Sequence, residues 1–227
     1  MHFSGGRLKA LGAKHHAFKH AYFYDHYERY LAVDPNAVAN VLELGIHEGG
    51  SLLVWMEFFP QAEIFGVDLR LVTLPGDNPR VHQLQADQTD AEAIGNFLRS
   101  NGVESLDIVI DDCSHVGYLT KQSFLFLFEN FLKPGGYYII EDWHTGYWET
   151  WPDGAALAEP DPEGEPRGIF ASHDRGMPGF IKQLIDRADE FESIVITGAF
   201  VVVKKQSHEN RAAIQEANQL WEERGGF

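Results

Sequence analysis

Two short apolar runs, residues 106–110 and 137–140, each break off into a pair of carboxylates, Asp111-Asp112 and Glu141-Asp142. Runs this apolar and this short read as strands buried on both faces, which is the habit of parallel sheets covered by helices. In an open parallel sheet the ligand crevice lies beyond the carboxyl ends of the strands. The acids therefore mark a site as well as a fold. His115, which follows in Asp112-Cys113-Ser114-His115, adds a group suited to moving a proton near neutral pH.

The rest of the chain alternates in the same way. Further strands are expected at 40–45, 63–68 and 80–86, and helices from about 50, at 90–100 and at 117–132. Lys133-Pro134-Gly135-Gly136 stops the last of these helices and turns into the fifth strand. Aromatics at helical spacing over 14–31 predict a helical segment lying on the sheet. A helix at 178–189 precedes two β-rich runs, 193–196 and 199–203, whose Thr197-Gly198 junction suggests an antiparallel hairpin. This alternation argues for a doubly wound α/β sheet in one domain spanning 1–227. Within it, 1–38 is the N-terminal helical segment and 206–227 a C-terminal tail. Residues 143–175, rich in Pro, Gly, Trp and acids, form a lid or substrate insert.

Charge narrows the partners. Lys+Arg number 18 against 34 Asp+Glu, a net charge of −16, which opposes binding to nucleic-acid phosphates or to anionic lipid. One cysteine, Cys113, excludes an intramolecular disulfide framework and fits a reducing compartment; beside the acids it reads as a small filler. The N-terminus lacks a signal-peptide apolar core, and the densest apolar run, 124–132, is too short to cross a bilayer and contains Glu129. The expectation is a cytoplasmic protein with a small-molecule substrate and neither nucleic acid nor membrane as partner. A homo-oligomer is left open.

The first strand-to-helix turn reads Glu43-Leu44-Gly45-Ile46-His47-Glu48-Gly49-Gly50-Ser51. Glycines there let a ligand approach the backbone and the helix N-terminus. Asp68, at the next strand end, is placed to accept ribose hydroxyls. NAD and S-adenosylmethionine enzymes share this geometry. Glu43 late in the strand, Asp87 at the end of strand three where adenine contacts are expected, and the terminal hairpin favour S-adenosylmethionine. So read, the fold is a Rossmann-like class I methyltransferase fold, a mostly parallel seven-stranded sheet with an antiparallel C-terminal hairpin. His47 departs from it, standing where a second glycine is usual.

Taken in order, Glu43/Gly45, Asp68, Asp112/His115, Glu141-Asp142 and then Thr145, Tyr147 and Trp148 resemble the metal-dependent sugar O-methyltransferases of macrolide and related natural-product pathways. The resemblance covers roughly residues 14–205. It implies that Asp112, Glu141 and Asp142 bind Mg²⁺, with Mn²⁺ as the alternative ion, and that His115 is the general base. It also implies S-adenosylmethionine as cofactor, with Glu43, Gly45, Ser51, Asp68, Asp87 and Asp111 around it, and a glycosylated natural product as substrate. Gly146 departs from the usual serine of this group, and no counterpart of the separate N-terminal domain of some members is seen.

Chemistry supports the division of roles. A sugar hydroxyl is a poor nucleophile, and a hard cation on oxygen ligands stabilises the forming alkoxide. Adjacent acids in a regular strand face opposite ways, so Asp112 is assigned to the metal and Asp111 to the neighbourhood of the methionine portion. Glu141 and Asp142 can both be ligands only if the chain turns there. Tyr147, Trp148 and Trp151 are candidates for an apolar wall beside the sugar, and Lys14 and Tyr27 for closing over the cofactor. A catechol-type O-methyltransferase and an NAD-linked oxidoreductase are the alternatives.

Overall fold

The computed structural model describes residues 6–158 and 176–223. Its elements run α1 (Arg7–Lys14), α2 (Ala21–Tyr30), β1 (Asn40–Leu44), α3 (Gly50–Phe58), β2 (Glu63–Asp68), β3 (Val81–Gln85), α4 (Ala91–Ser100), β4 (Leu106–Asp111), α5 (Gly117–Asn130) and β5 (Leu132–Glu141). There follow a 3-10 turn (Trp143–Tyr147), α6 (Pro152–Ala158), α7 (Gly176–Ile185), β6 (Phe191–Ile196), β7 (Phe200–Lys205) and α8 (His208–Glu223).

All seven strands form one sheet in the order β3-β2-β1-β4-β5-β7-β6. The first five pair in parallel, while β7 runs antiparallel to both β5 and β6. Alternation along each strand feeds two cores. Ile108 and Ile110 of β4 pack with Tyr27 and Trp55 under α1 to α3. Val109, one residue away on the opposite face, joins Phe124, Phe128 and Phe180 under α5 and α7. The aromatic stripe of α5 is thus core. Strand order reverses between β1 and β4, and the carboxyl ends of these two strands open the crevice.

Two expectations are corrected. The segment 14–31 is not continuously helical: α1 ends at Lys14, His16 adopts φ 50°, and the chain re-enters a helix at Ala21. A Cβ on Gly50 would lie 2.8 Å from both Ala17 Cα and His15 O, so residues 15–20 leave the helix to lie against the start of α3. The Lys-Pro-Gly-Gly stretch does not precede β5 but belongs to it. Leu132 pairs with Leu106, and the register then shifts before Ile108 meets Tyr137. Beyond β7 the chain forms α8. Of the insert, residues 159–175 lie outside the described residues, as do 1–5 and 224–227. Among the described residues no helix is long and apolar enough to cross a membrane.

Candidate active site

Gly45 holds the centre of the crevice together. It sits at φ +81°, and a Cβ there would lie 2.2 Å from the carbonyl oxygen of Asp112. Only glycine allows the β1 and β4 ends to approach this closely. The Asp112 amide donates to Leu44 O at 2.9 Å and the Gly45 amide to Val67 O at 2.8 Å, which ties three strand ends into one rim.

Asp112, His115 and Asp142 come together on that rim. Each offers one donor atom, and the three atoms lie within 4.8 Å of one another. His115 Nε2 is 3.8 Å from Asp112 Oδ1 and 3.9 Å from Asp142 Oδ2. His115 and Asp142 both have φ 52°, the left-handed region that non-glycine residues seldom occupy. Such conformations cluster at functional sites, where the surrounding fold enforces them. At Asp142 the turn is what allows neighbouring acids to point differently. The chain leaves β5 there and enters a 3-10 turn, with the Thr145 amide and hydroxyl both donating to Asp142 O.

Glu141 ends β5 and is almost wholly buried. Its Oε1 accepts from the Tyr27 hydroxyl and, at 2.5 Å, from the Lys19 ammonium. Lys19 also donates to Asp112 Oδ2 at 2.7 Å, and its side chain is only 3% exposed. Asp112 therefore serves two groups, one oxygen facing Lys19 and Glu141, the other facing His115. Burial and then the Asp112 charge push the Glu141 carboxyl up, against the pull of Lys19. Burial raises Asp142 as well, opposed by His115. Burial works to lower Lys19, but Asp112 and then Glu141 outweigh it and hold the ammonium charged.

The other expected site residues surround this cluster in different ways. Ser51 donates to Glu43 Oε2 at 2.6 Å, and burial raises Glu43 to about 7. Asp68 Oδ2 accepts from the Ile46 and His47 amides and so braces the glycine turn. Asp87 is exposed and accepts from the amide and hydroxyl of Thr89, which lower its pKa. Asp111 is buried, with Tyr138 donating to it at 3.1 Å, and burial raises it to about 7. It lies on the core side of the strand, opposite in facing to Asp112. Cys113 packs at the edge of the same core, where burial raises its thiol.

Lys14 does not approach the crevice: it pairs with Glu57 at 2.6 Å on the surface. Tyr27 does, through Glu141. Lys19 was passed over in the sequence because a lone lysine among histidines and aromatics carries no motif. Its one signal was its place in the segment expected to cover the sheet.

Aromatic groups line one side. The Trp151 ring lies 5.9 Å from that of His115, and its indole N–H donates to Ser114 O at 3.4 Å. Trp148 packs edge-on against His144 and Tyr147 against Trp143, and both remain partly exposed, at 47% and 44%. Gly146 has a packing reason, since a Cβ there would lie 2.3 Å from Pro178 Cδ of α7.

A seven-stranded 3-2-1-4-5-7-6 sheet with acids and a histidine at its switch point defines the class, a Rossmann-like class I methyltransferase fold. The chain is similar to sugar O-methyltransferases of antibiotic pathways. It is 40% identical over 134 residues to mycinamicin VI 2''-O-methyltransferase of Micromonospora griseorubida, covering 56% of this chain and 33% of that protein. It is 30% identical over 167 residues to 8-demethyl-8-alpha-L-rhamnosyl tetracenomycin-C 2'-O-methyltransferase of Streptomyces olivaceus, covering 70% and 39%. Among solved structures it resembles the MycE methyltransferase of the mycinamycin biosynthetic pathway in complex with Mg, SAH and mycinamycin VI. That match has a TM-score of 0.72 and 29% identity, over 90% of this chain and 56% of that one. The chain thus spans little more than a third of the curated relatives it matches. No family model matches.

Proposed function

We propose that this chain is an S-adenosylmethionine- and Mg²⁺-dependent O-methyltransferase acting on a sugar hydroxyl of a glycosylated natural product. The observation that carries the reading is the convergence of Asp112, His115 and Asp142 at the switch point, beside the Gly45 turn. The donor set suits a hard cation: carboxylate oxygens predominate, and small side-chain rotations bring atoms within 4.8 Å to the spacing of bonds about 2.1 Å long. Asp112 and Asp142 would hold the ion, with Glu141 adjacent. When bound, it would acidify the sugar hydroxyl.

The chain's own groups account for the remaining steps. The glycine turn and α3 N-terminus receive the cofactor's amino-acid end, and the buried Glu43–Ser51 pair fixes the strand end beneath it. His115 accepts the hydroxyl proton as the O–CH₃ bond forms and the S–CH₃ bond breaks, leaving S-adenosylhomocysteine and a methyl ether. Asp112 and Asp142 flank the imidazole, at 3.8 and 3.9 Å from its Nε2. Trp151 beside His115, with Tyr147 and Trp148 farther out, offers apolar faces to a sugar ring and its aglycone.

The test is a substrate panel of rhamnosylated polyketides, glycosylated macrolides and simple diphenols, each with S-adenosylmethionine and Mg²⁺ and read by mass spectrometry. The proposal expects single methylation of at least one glycoside, abolished by chelator. Methylation of diphenols alone would replace it with a catechol-type activity.

A further inference from the structure

Lys19 is a cation already seated among the carboxylates that the proposed metal would use. Its ammonium bridges Asp112 Oδ2 and Glu141 Oε1 at 2.7 and 2.5 Å. The other oxygen of Asp112 faces His115, beside Asp142. An ion on Asp112, His115 and Asp142 would share Asp112 with the ammonium, and to bind Glu141 through Oε1 as well it would have to displace Lys19. Two cations at such short range in a low-dielectric setting repel strongly. We propose that Lys19 and the divalent metal compete for Asp112 and Glu141, so that metal loading expels Lys19 and lifts the segment 15–20 off the crevice. The inference rests on the metal site proposed above.

The segment joins α1 to α2 without regular structure, and its backbone bonds are local: His15 N to Leu11 O, His16 N to Ala13 O, Ala17 N to Gly12 O and Lys19 N to Ala17 O. Phe18 is 87% exposed and touches the body mainly through its ring, stacked 5.2 Å from that of His47. Phe18 and Lys19 line the same recess as Gly45, His47, Ser51 and Asp112, so the strap covers the turn that the cofactor would occupy. Weakly held segments over a ligand site are drawn from the least stable parts of a fold. Lys19 would then also neutralise the acid cluster while the metal is away, which explains why a lysine rather than an apolar residue is buried there.

The experiment is calorimetric titration of Mg²⁺ into the wild type, Lys19→Met and Lys19→Arg, paired with hydrogen exchange at residues 15–20. Competition predicts that Lys19→Met binds Mg²⁺ at least about tenfold tighter than wild type, while Lys19→Arg stays near it. It also predicts faster exchange of 15–20 in the wild type on saturation with Mg²⁺, a readout independent of any variant's folding. Binding of Mg²⁺ to wild type with equal or weaker affinity in Lys19→Met, or with unchanged exchange, overturns the competition but leaves the metal site standing. Absence of Mg²⁺ binding in all three proteins overturns the site itself and this inference with it.

Discussion

Gly45 and Asp112 touch through their backbones: a Cβ on the glycine would fall 2.2 Å from the aspartate's carbonyl oxygen. The contact joins the turn that would receive a cofactor to the acid that would hold a metal, across the reversal of strand order. Gly45→Ala should therefore damage the fold and the site together. Both the left-handed φ and the collision oppose it, and a loss of about 2 kcal/mol or more is expected. Thermal unfolding of the variant beside wild type measures it, with Gly76→Ala as a control that has the same sign of φ and open space around it.

His115 lies within reach of both flanking aspartates, so it could serve as base or as ligand, and the two roles separate by measurement. As the base, His115→Ala should lower kcat by about 10²- to 10⁴-fold and leave Mg²⁺ affinity within a few-fold of wild type. A loss of metal affinity equal to that of Asp142→Ala would make it a ligand instead.

Tyr27 donates its buried hydroxyl to Glu141. Tyr27→Phe keeps the ring against Trp55 and Phe200 but leaves Glu141 Oε1 with Lys19 as its remaining donor. Denaturant unfolding should show a loss of about 1–3 kcal/mol, the order of a lost hydrogen bond to a charged group.

Glu43 gives the stability a pH dependence of defined sign. Burial raises its pKa from 4.5 to about 7 in the fold, so between these values the native state holds a proton that the unfolded chain has lost. Stability then falls as pH rises through that window, by up to about 3 kcal/mol from this group. Glu43→Gln should flatten the slope between pH 4.5 and 7 in metal-free protein; an unchanged slope would place its origin elsewhere. Asp111, raised to about 7 from 3.8, adds to the slope over a window that begins lower, and Asp111→Asn tests it in the same way.

The sheet was legible because its signals are local. The apolar runs of β4 and β5, the glycine turn after β1 and the Thr197-Gly198 hairpin each carry their meaning within a few residues. Facing could also be read, in that period two sends Asp111 and Asp112 to opposite faces, though not that Asp111 would be buried against Tyr138. What escaped depends on contacts between distant segments. The break between α1 and α2 follows from the approach of Ala17 to Gly50, and the ion pair of Lys19 spans the chain to Glu141. Neither leaves a periodicity. The extension of β5 through Lys133-Pro134-Gly135-Gly136 was hidden because the register shift opposite Leu106 accommodates residues that otherwise end a strand.

The most direct measurement is Mn²⁺ binding followed by electron paramagnetic resonance, with S-adenosylhomocysteine present, in wild type and in Asp112→Asn and Asp142→Asn. One ion per chain in the wild type, with affinity reduced at least about a hundredfold in each variant, is what a metal held by these carboxylates requires. Equal binding in all three proteins, or none in the wild type, would contradict it.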